Sequence, residues 1–184
     1  MDIKAEQKEI VIALAGNPNS GKTTVFNELT GSHQHVGNWP GVTVERKEGV
    51  VKKNGLVFRI VDLPGTYSLS AYSLEEVIAR DFLIDNHVDV IVNVVDATNL
   101  ERNLYLTTQL LELGICTVVA LNVVDMAEQM GQKIDIDRLS AFLGAAVVPT
   151  VGHRGEGVDN ILDKAGEIAG SAICEAPRSA RYSP

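Results

Sequence analysis

The sequence predicts an α/β domain with a six-stranded, mostly parallel sheet flanked by helices. Short apolar runs rich in β-branched residues alternate along the chain with longer segments of helical periodicity. This alternation is typical of parallel strands joined by crossover helices. The chain has 184 residues, of which 45% are hydrophobic and 22% are charged. That length and that composition are those of one globular domain rather than of a disordered chain.

The periodicity assigns six strands and five helices in chain order. The predicted strands are Ile10–Ala15, Glu48–Lys52, Val57–Asp62, Val88–Val95, Ile115–Leu121 and Ala146–Thr150. The predicted helices are Gly21–Thr30, Leu74–Asp85, Leu100–Leu113, Ile136–Leu143 and Val158–Ala169. Asn54 and Gly55 are typical of a tight hairpin turn, so the second and third strands are expected to pair antiparallel. The other strands are expected to be parallel, with right-handed crossovers.

Two helices carry the spacing of a capping box at their amino-terminal ends. Ser73 stands three residues before Glu76, and Thr98 stands three residues before Glu101. In this arrangement the hydroxyl and the carboxylate each accept a hydrogen bond from an otherwise unpaired backbone N–H. The spacing therefore predicts that Ser73 and Thr98 are the N-cap residues.

The overall charge and the chain ends exclude several classes of protein. The formal net charge is −8, which counts against a nucleic-acid partner because phosphate neutralisation needs clustered Lys and Arg. We expect residues 1–170 to form the domain and residues 171–184, which lack periodicity, to be a tail or the start of a linker. The charged amino terminus does not resemble a signal peptide, and the domain is expected to be cytoplasmic. Cys116 is expected to be a buried thiol, since Cys116 and Cys174 indicate no disulfide framework.

A phosphate-binding loop is predicted between the first strand and the first helix. The run Gly16-Asn17-Pro18-Asn19-Ser20-Gly21-Lys22-Thr23, followed by Thr24, satisfies the P-loop pattern in full. Its glycines let consecutive backbone N–H groups point at phosphate oxygens, and the helix amino terminus adds a partial positive charge. Lys22 is expected to reach the β- and γ-phosphates of a nucleotide, and the Thr23 hydroxyl to ligate Mg²⁺. The alternative is a glycine-rich turn that matches by chance, which the strand-to-helix context disfavours.

Two further segments are candidates for the magnesium and γ-phosphate contacts. Asp62 ends the third predicted strand and can hold the metal through a water, while the Gly65 N–H can meet the γ-phosphate. Alone, Asp-x-x-Gly is a common strand-ending turn, but its place after the P-loop makes Asp62 the expected partner of Thr23. The segment Val36–Glu45 is predicted to be a loop that orders and disorders, with Thr43 completing the magnesium shell when a γ-phosphate is present. Its Trp39 has two open interpretations, an anchor against the core or an exposed lid over the base.

The segment Asn122-Val123-Val124-Asp125 is the candidate for base recognition. The Asp125 carboxylate can accept both the N1–H and the exocyclic amine of guanine. Adenine offers neither in that geometry and would leave a buried acceptor unpaired. As an isolated pattern Asn-x-x-Asp is a common helix cap, but here it follows a parallel strand at its carboxyl end, where α/β sheets bind ligands. The sequence therefore predicts a guanine site.

Together these segments resemble the small P-loop GTPase fold of the translation-factor-like class. The runs at Gly16–Thr24, Val36–Glu45 and Asp62–Leu69 resemble the cytosolic G domain of the ferrous-iron transport protein B (FeoB) family. The resemblance covers about residues 9–170 and implies GTP/GDP and Mg²⁺ as cofactors. It also implies that a helical regulatory domain and a membrane permease part follow in a full-length protein of the inner membrane. The chain is thus expected to be an excised domain.

The chain departs from the general GTPase pattern at three places. Val123 stands where a Lys usually lies along the base, which should loosen nucleotide binding. Thr150-Val151-Gly152 replaces the common Ser-Ala pair, and the Gly152 N–H is expected to serve the guanine O6. Thr66 and Tyr67 follow Gly65 where a water-orienting Gln is usual. The resemblance implies that Asn19 and the backbone of Gly37–Trp39 instead position a monovalent cation such as K⁺; the alternative is that Asn19 only braces the loop.

These observations favour a slow GTPase switch that gates or drives ferrous iron uptake by a membrane partner. One alternative is a module that binds nucleotide with negligible turnover, which a phosphate-release assay separates from the first. Another is an RNA- or ribosome-associated GTPase. That class normally carries a basic RNA-binding appendage, and the acidic charge counts against it.

Overall fold

The computed structural model describes residues 9–170, whose centre is one seven-stranded sheet in the order β2-β3-β4-β1-β5-β6-β7. The strands are β1 Glu9–Gly16, β2 Gln34–Asn38, β3 Glu45–Lys53, β4 Leu56–Asp62, β5 Val90–Asp96, β6 Thr117–Asn122 and β7 Ala146–Pro149. The four pairings among β4, β1, β5, β6 and β7 are parallel, and β3 pairs antiparallel with both β2 and β4. The mostly parallel α/β fold is therefore confirmed, but its strand number is not six.

Six α-helices connect these strands. They are α1 Lys22–Thr30, α2 Leu74–Asp85, α3 Leu100–Glu112, α4 Val124–Gln129, α5 Ile136–Leu143 and α6 Val158–Gly170. Two 3₁₀ turns lie at Ala97–Asn99 and Gly152–Arg154. Within residues 9–170 no helix combines the length and the apolar character that crossing a membrane requires.

The unpredicted strand is β2, in the segment that we expected to be a loop from Val36 onward. β2 has an almost wholly exposed polar sequence without the alternation of a half-buried strand. It forms because β3 begins three residues earlier than predicted, at Glu45, and pairs with it in the register Gln34↔Gly49 to Asn38↔Glu45. Strand formation here comes from hydrogen bonding to a neighbour, a tertiary effect that periodicity does not report.

The short helix α4 was also absent from the sequence expectation. It has six residues and follows Val123, which has a left-handed φ of 56° and provides no side-chain cap. A helix of this length, without a capping residue, has no signal in a periodicity analysis. Its position decides where Asp125, in its first turn, is held.

One capping prediction is confirmed and the other is wrong. The Ser73 hydroxyl accepts the Glu76 N–H at 3.2 Å, as the capping box requires. Thr98 instead lies in a 3₁₀ turn, where its N–H and its hydroxyl both bind Asp96 Oδ1, at 2.8 and 2.7 Å. The Asp96 carboxylate therefore takes the groups that would have capped α3, whose N-cap residue is Asn99.

Two smaller expectations have opposite outcomes. The turn between β3 and β4 is the predicted hairpin, with left-handed φ values of 52° at Asn54 and 78° at Gly55. The expectation of a free thiol at Cys116 is wrong, because that residue is disulfide-bonded. Cys174 lies outside the described residues, as do residues 171–184 of the predicted tail.

The central strands of the sheet are buried on both faces, and because they run parallel their carboxyl ends lie at one edge. Side chains of α1 and α6 pack on one face, with Val92 and Val94 of β5 among them. Side chains of α2 and α3 pack on the other face, on which Ile91 of β5 lies. The loops after β1, β4 and β6 all leave the sheet at the same edge, where open α/β sheets bind their ligands.

Candidate nucleotide-binding site

A cavity of about 510 Å³ lies at this edge of the sheet, in the loop between β1 and α1. It is lined by Asn17, Pro18, Asn19, Gly21, Lys22, Thr23 and Gly65. Six of these residues belong to the predicted P-loop, and Gly65 comes from the segment after β4. The structure thus brings the P-loop and the Asp-x-x-Gly segment together around one space, as the sequence predicted.

The loop between β1 and α1 is shaped by two left-handed residues. Asn19 has a φ of 67° and Gly21 a φ of 84°, and the Ser20 N–H closes a turn on the Asn17 carbonyl at 3.2 Å. Gly21 is the N-cap of α1 and provides no side-chain cap. The orphan N–H groups of the first turn are therefore left for a ligand, beside the positive end of the helix. A Cβ at Gly21 would overlap the Asn122 amide, so the loop requires glycine here.

Several buried polar atoms of the loop lack a protein partner. Asn17 is 3% exposed, and neither its amide oxygen nor its amide nitrogen is hydrogen-bonded. The Ser20 hydroxyl is buried and unpaired as well. Buried polar groups are rarely left unsatisfied. A polar ligand in the adjoining cavity fits these orphaned groups better than an apolar one.

Lys22 crosses from the P-loop to the end of β4. Its Nζ forms an ion pair with Asp62 and donates to the Leu63 carbonyl at 2.6 Å. Both charged side chains are about nine-tenths buried. Burial raises the pKa of Asp62 above its usual value, and the Lys22 ammonium only partly opposes that effect. Lys22, the predicted phosphate-binding cation, and Asp62, the predicted magnesium carboxylate, are therefore paired with each other in this structure.

The oxygens present suit Mg²⁺ chemically, although one predicted ligand lies elsewhere. Thr23 is exposed and lines the cavity, and the Asp62 carboxylate is paired with Lys22, which lines the same cavity. Mg²⁺ prefers such hard oxygen ligands and keeps several waters. Thr43 is exposed in the β2–β3 connection and does not line the cavity. Thr24, the residue after Thr23, is half-buried in the first turn of α1.

Trp39 explains why Thr43 is held away. Its side chain is 5% exposed and makes an edge-to-face contact with Phe82 of α2, at 5.4 Å between ring centroids. The Arg46 guanidinium covers the indole at 4.8 Å. Of the two interpretations that the sequence left open, the anchor against the core is confirmed. Gly37 and Asn38, whose backbone was expected to help position a monovalent cation, are paired with β3 in this structure.

Asn122 joins the base-recognition segment to the P-loop. Its amide nitrogen donates to the Ser20 carbonyl at 3.0 Å. Its amide oxygen accepts the Gly152 N–H at 2.9 Å and the Thr150 hydroxyl at 3.2 Å. Because Asn122 is 2% exposed, these bonds have no competition from water. Asn122 is thus a brace between three loops.

The predicted base-side loop lies behind that brace. Thr150, Val151 and Gly152 are all buried and none of them lines the cavity. The Gly152 N–H, expected to serve the guanine O6, is donated to Asn122 in this structure. The loop therefore supports the site indirectly, through its hydrogen bonds to Asn122.

Asp125 presents one free carboxylate oxygen. Its side chain is 16% exposed, and its Oδ1 is buried without a hydrogen-bond partner. Its Oδ2 faces Arg154 Nη2 at 3.8 Å and His153 Nε2 at 3.9 Å. An unpaired buried carboxylate oxygen is an acceptor for a donor-bearing ligand.

Sequence reasoning missed four residues that shape this region. Arg154 and His153 flank Asp125, while Arg46 and Phe82 hold Trp39. The only signal for the first pair is a basic dipeptide inside the glycine-rich turn after Thr150. Arg46 and Phe82 have no local signal, because their role exists only once α2 packs over the β2–β3 connection.

Comparison with known proteins decides the family. The model of the family described as Ferrous iron transport protein B matches residues 10–165. The chain belongs to this family. It is 58% identical over 156 residues to the Fe(2+) transporter FeoB of Escherichia coli K12, which covers 83% of this chain. The same alignment covers 20% of that FeoB, so the chain spans about a fifth of the length of the curated relatives it matches.

Solved FeoB structures share the fold. A mutant of S. thermophilus NFeoB bound to mGDP is 57% identical, with a TM-score of 0.83, over 87% of this chain and 61% of the other. The G domain of the T. maritima FeoB iron transporter is 44% identical, with a TM-score of 0.83, over 88% of this chain and 99% of the other. The architecture described above is thus that of FeoB G domains.

Proposed function

We propose that this chain binds GTP and GDP with Mg²⁺ and hydrolyses GTP slowly, as the switch domain of a ferrous iron transporter. The observation that carries the proposal is that one residue, Asn122, connects two parts of the site whose polar groups lack hydrogen-bond partners. Asn122 connects the P-loop, with its free helix amino terminus, to the segment that holds the free Asp125 oxygen. A guanine nucleotide has an anionic and a donor-bearing end that match these two surfaces.

On the phosphate side, the backbone of the P-loop and Lys22 supply the positive charge. Lys22 must exchange its bond to the Leu63 carbonyl and its ion pair with Asp62 for the β- and γ-phosphates. Asp62 is then free to take part in the magnesium shell together with Thr23. Mg²⁺, when bound, neutralises charge on the phosphate oxygens. We assign Thr43 to the same shell only after the Trp39 anchor has been released.

On the base side, Asp125 accepts the donors of guanine. Its Oδ1 is already desolvated and unpaired, so a base without matching donors would leave it unsatisfied at a cost of about 1–3 kcal/mol or more. This favours guanine over adenine. Thr150, Val151 and Gly152 contribute through Asn122, which holds this segment against the P-loop.

Hydrolysis must proceed without a glutamine after Gly65. Thr66 is buried and donates its N–H to the Gly16 carbonyl, while Tyr67 lies under the Arg102 guanidinium. The usual glutamine is therefore replaced by a buried Thr66 and by a Tyr67 whose ring is covered by Arg102, which supports a slow reaction. Asn19 offers an amide oxygen at the cavity, and we propose that it is the K⁺-sensitive residue of the loop. The Gly37–Trp39 backbone does not lie at that cavity, so the proposed effect of K⁺ rests on Asn19.

The biological output follows from the family. The curated relatives are named Fe(2+) transporters, and we propose that this domain lies in the cytoplasm. There it would act on helical regulatory and permease parts of the same full-length protein in the inner membrane. The strongly acidic charge supports a protein partner rather than a nucleic acid.

A phosphate-release assay tests the proposal. The chain should release phosphate from GTP in the presence of Mg²⁺, faster in KCl than in NaCl, and Asn19→Ala should remove the difference between the salts. Lys22→Ala should abolish detectable nucleotide binding, because it removes the side-chain cation at the phosphates. If phosphate release is no faster than uncatalysed GTP hydrolysis while nucleotide binding is intact, the chain is a binding module without GTPase activity. Near-normal GTP affinity in Lys22→Ala would refute the site itself.

A further inference from the structure

The base-recognition segment has no cation of its own. Between Asn122 and Asp125 stand two valines, and α4, which carries Asp125, contains neither Lys nor Arg. Val123 holds a left-handed φ of 56°, which is unusual for a β-branched residue. The carboxylate that is proposed to accept guanine therefore has to find its positive partner on another element.

That partner comes from the turn after β7. Arg154 Nη2 lies 3.8 Å and His153 Nε2 3.9 Å from Asp125 Oδ2. The other oxygen, Oδ1, is buried and has no hydrogen-bond partner. One oxygen of the carboxylate thus faces the basic side chains, and the other has no hydrogen-bond partner in the protein.

The turn that presents Arg154 is fixed by its own backbone. The Arg154 N–H donates to the Val151 carbonyl at 2.9 Å, and the Val151 N–H donates to the Glu156 carbonyl at 2.9 Å. Gly155 ends the 3₁₀ turn with a left-handed φ of 69°. The turn is also bound to Asn122 through the Gly152 N–H. Arg154 therefore projects from a defined position relative to Asp125.

Of the two cations, Arg154 is the permanent one. Histidine is charged only when protonated, whereas the guanidinium is charged at every accessible pH. Both side chains are about half exposed, and Glu156 Oε1 shares Arg154 at 3.9 Å. These features limit the strength of the pair, so the expected effect on affinity is modest.

We propose that Arg154 is a positioning residue for guanine recognition. It faces the Asp125 carboxylate at Oδ2 and so fixes the plane in which the open Oδ1 and the remaining lone pair of Oδ2 meet the two donors of the base. The inference rests on the proposed function. Arg154 then takes over an electrostatic role at the base that a lysine at position 123 would have filled. Without Arg154 the carboxylate reorients and recognition of the exocyclic amine suffers most.

Comparison of GDP with inosine diphosphate tests this role. The inosine base keeps N1–H but lacks the exocyclic amine, so it offers Asp125 one donor instead of two. Both affinities are measured by competition against a fluorescent GDP analogue, for the parent chain and for Arg154→Gln. We expect Arg154→Gln to weaken GDP by about 2- to 5-fold, the range of a half-exposed ion pair, and inosine diphosphate by much less.

Two further variants make the result specific. Arg80→Gln removes the same charge from α2, where Arg80 pairs with Asp81 at 2.9 Å, and should leave both affinities unchanged. Arg154→Lys keeps the charge without the planar fork and should restore part of the preference for GDP.

Each outcome bears on a defined claim. Equal weakening of both nucleotides would mean that Arg154 acts on the phosphates or on the fold, and it would overturn the inference. Unchanged affinities in Arg154→Gln would overturn it as well. If the parent chain binds neither nucleotide, the proposed function fails before Arg154 is at issue.

Discussion

Replacing Asn122 by alanine should separate the P-loop from the base-recognition segment. The side chain makes three buried hydrogen bonds, to the Ser20 carbonyl, the Gly152 N–H and the Thr150 hydroxyl. Each bond is worth about 1 kcal/mol net, and the partners that remain are buried and unsatisfied. We therefore expect the free energy of unfolding of the nucleotide-free domain to fall by about 3 kcal/mol.

Asn93→Ala is the matched control. Asn93 is 1% exposed, and its amide donates to the Thr107 hydroxyl at 2.7 Å. The same volume is lost from a similarly buried site, so cavity costs largely cancel. Urea unfolding should show a loss for Asn122→Ala that exceeds the loss for Asn93→Ala by about 2 kcal/mol, with equal m-values. Equal losses in the two variants would refute the view of Asn122 as a brace between loops.

Three further predictions concern the same site. Asp125→Asn should weaken GTP and GDP alike by about 10²-fold or more, since a donor then faces a donor; if Asp125 were only a helix cap, titration would show lost stability with guanine preference intact. GDP should leave within seconds without an exchange factor, because Val123 offers no cation to the base; stopped-flow release over minutes to hours would contradict this. The raised pKa of Asp62 means that the folded state binds its proton more tightly than the unfolded chain does. The free energy of unfolding should therefore fall as pH rises from about 3.8 through the raised pKa. If the free energy of unfolding of Asp62→Asn had the same pH dependence as that of the parent chain, this prediction would be refuted.

The local parts of the site could be predicted from the sequence. The P-loop, Asp62 and Asp125 each lie at the carboxyl end of a strand whose apolar run is unambiguous, and parallel strands end at a common edge. Position along the chain therefore fixed their position in space. The confirmed cap at Ser73 is local in the same sense, since its partner is three residues away.

The parts that the sequence did not indicate depend on contacts between distant segments. Thr43 does not line the cavity in this structure, because its loop is held by Trp39 against Phe82 on another element. The strand β2 exists because β3 offers it hydrogen bonds, and no property of its own polar sequence indicates it. Arg154 meets Asp125 only after β7 has placed its turn beside α4. Periodicity and spacing carry no information on such encounters.

Nucleotide competition tests the central claim most directly. The nucleotide-free chain is loaded with a fluorescent GDP analogue in Mg²⁺, and GTP, GDP and ATP are added in turn as competitors. We predict that GTP and GDP displace the analogue at comparable concentrations and that ATP requires a concentration about 10²-fold higher or more, because adenine leaves the buried Asp125 oxygen unpaired. Displacement by ATP at the same concentration as GTP would contradict the assignment of a guanine-nucleotide site.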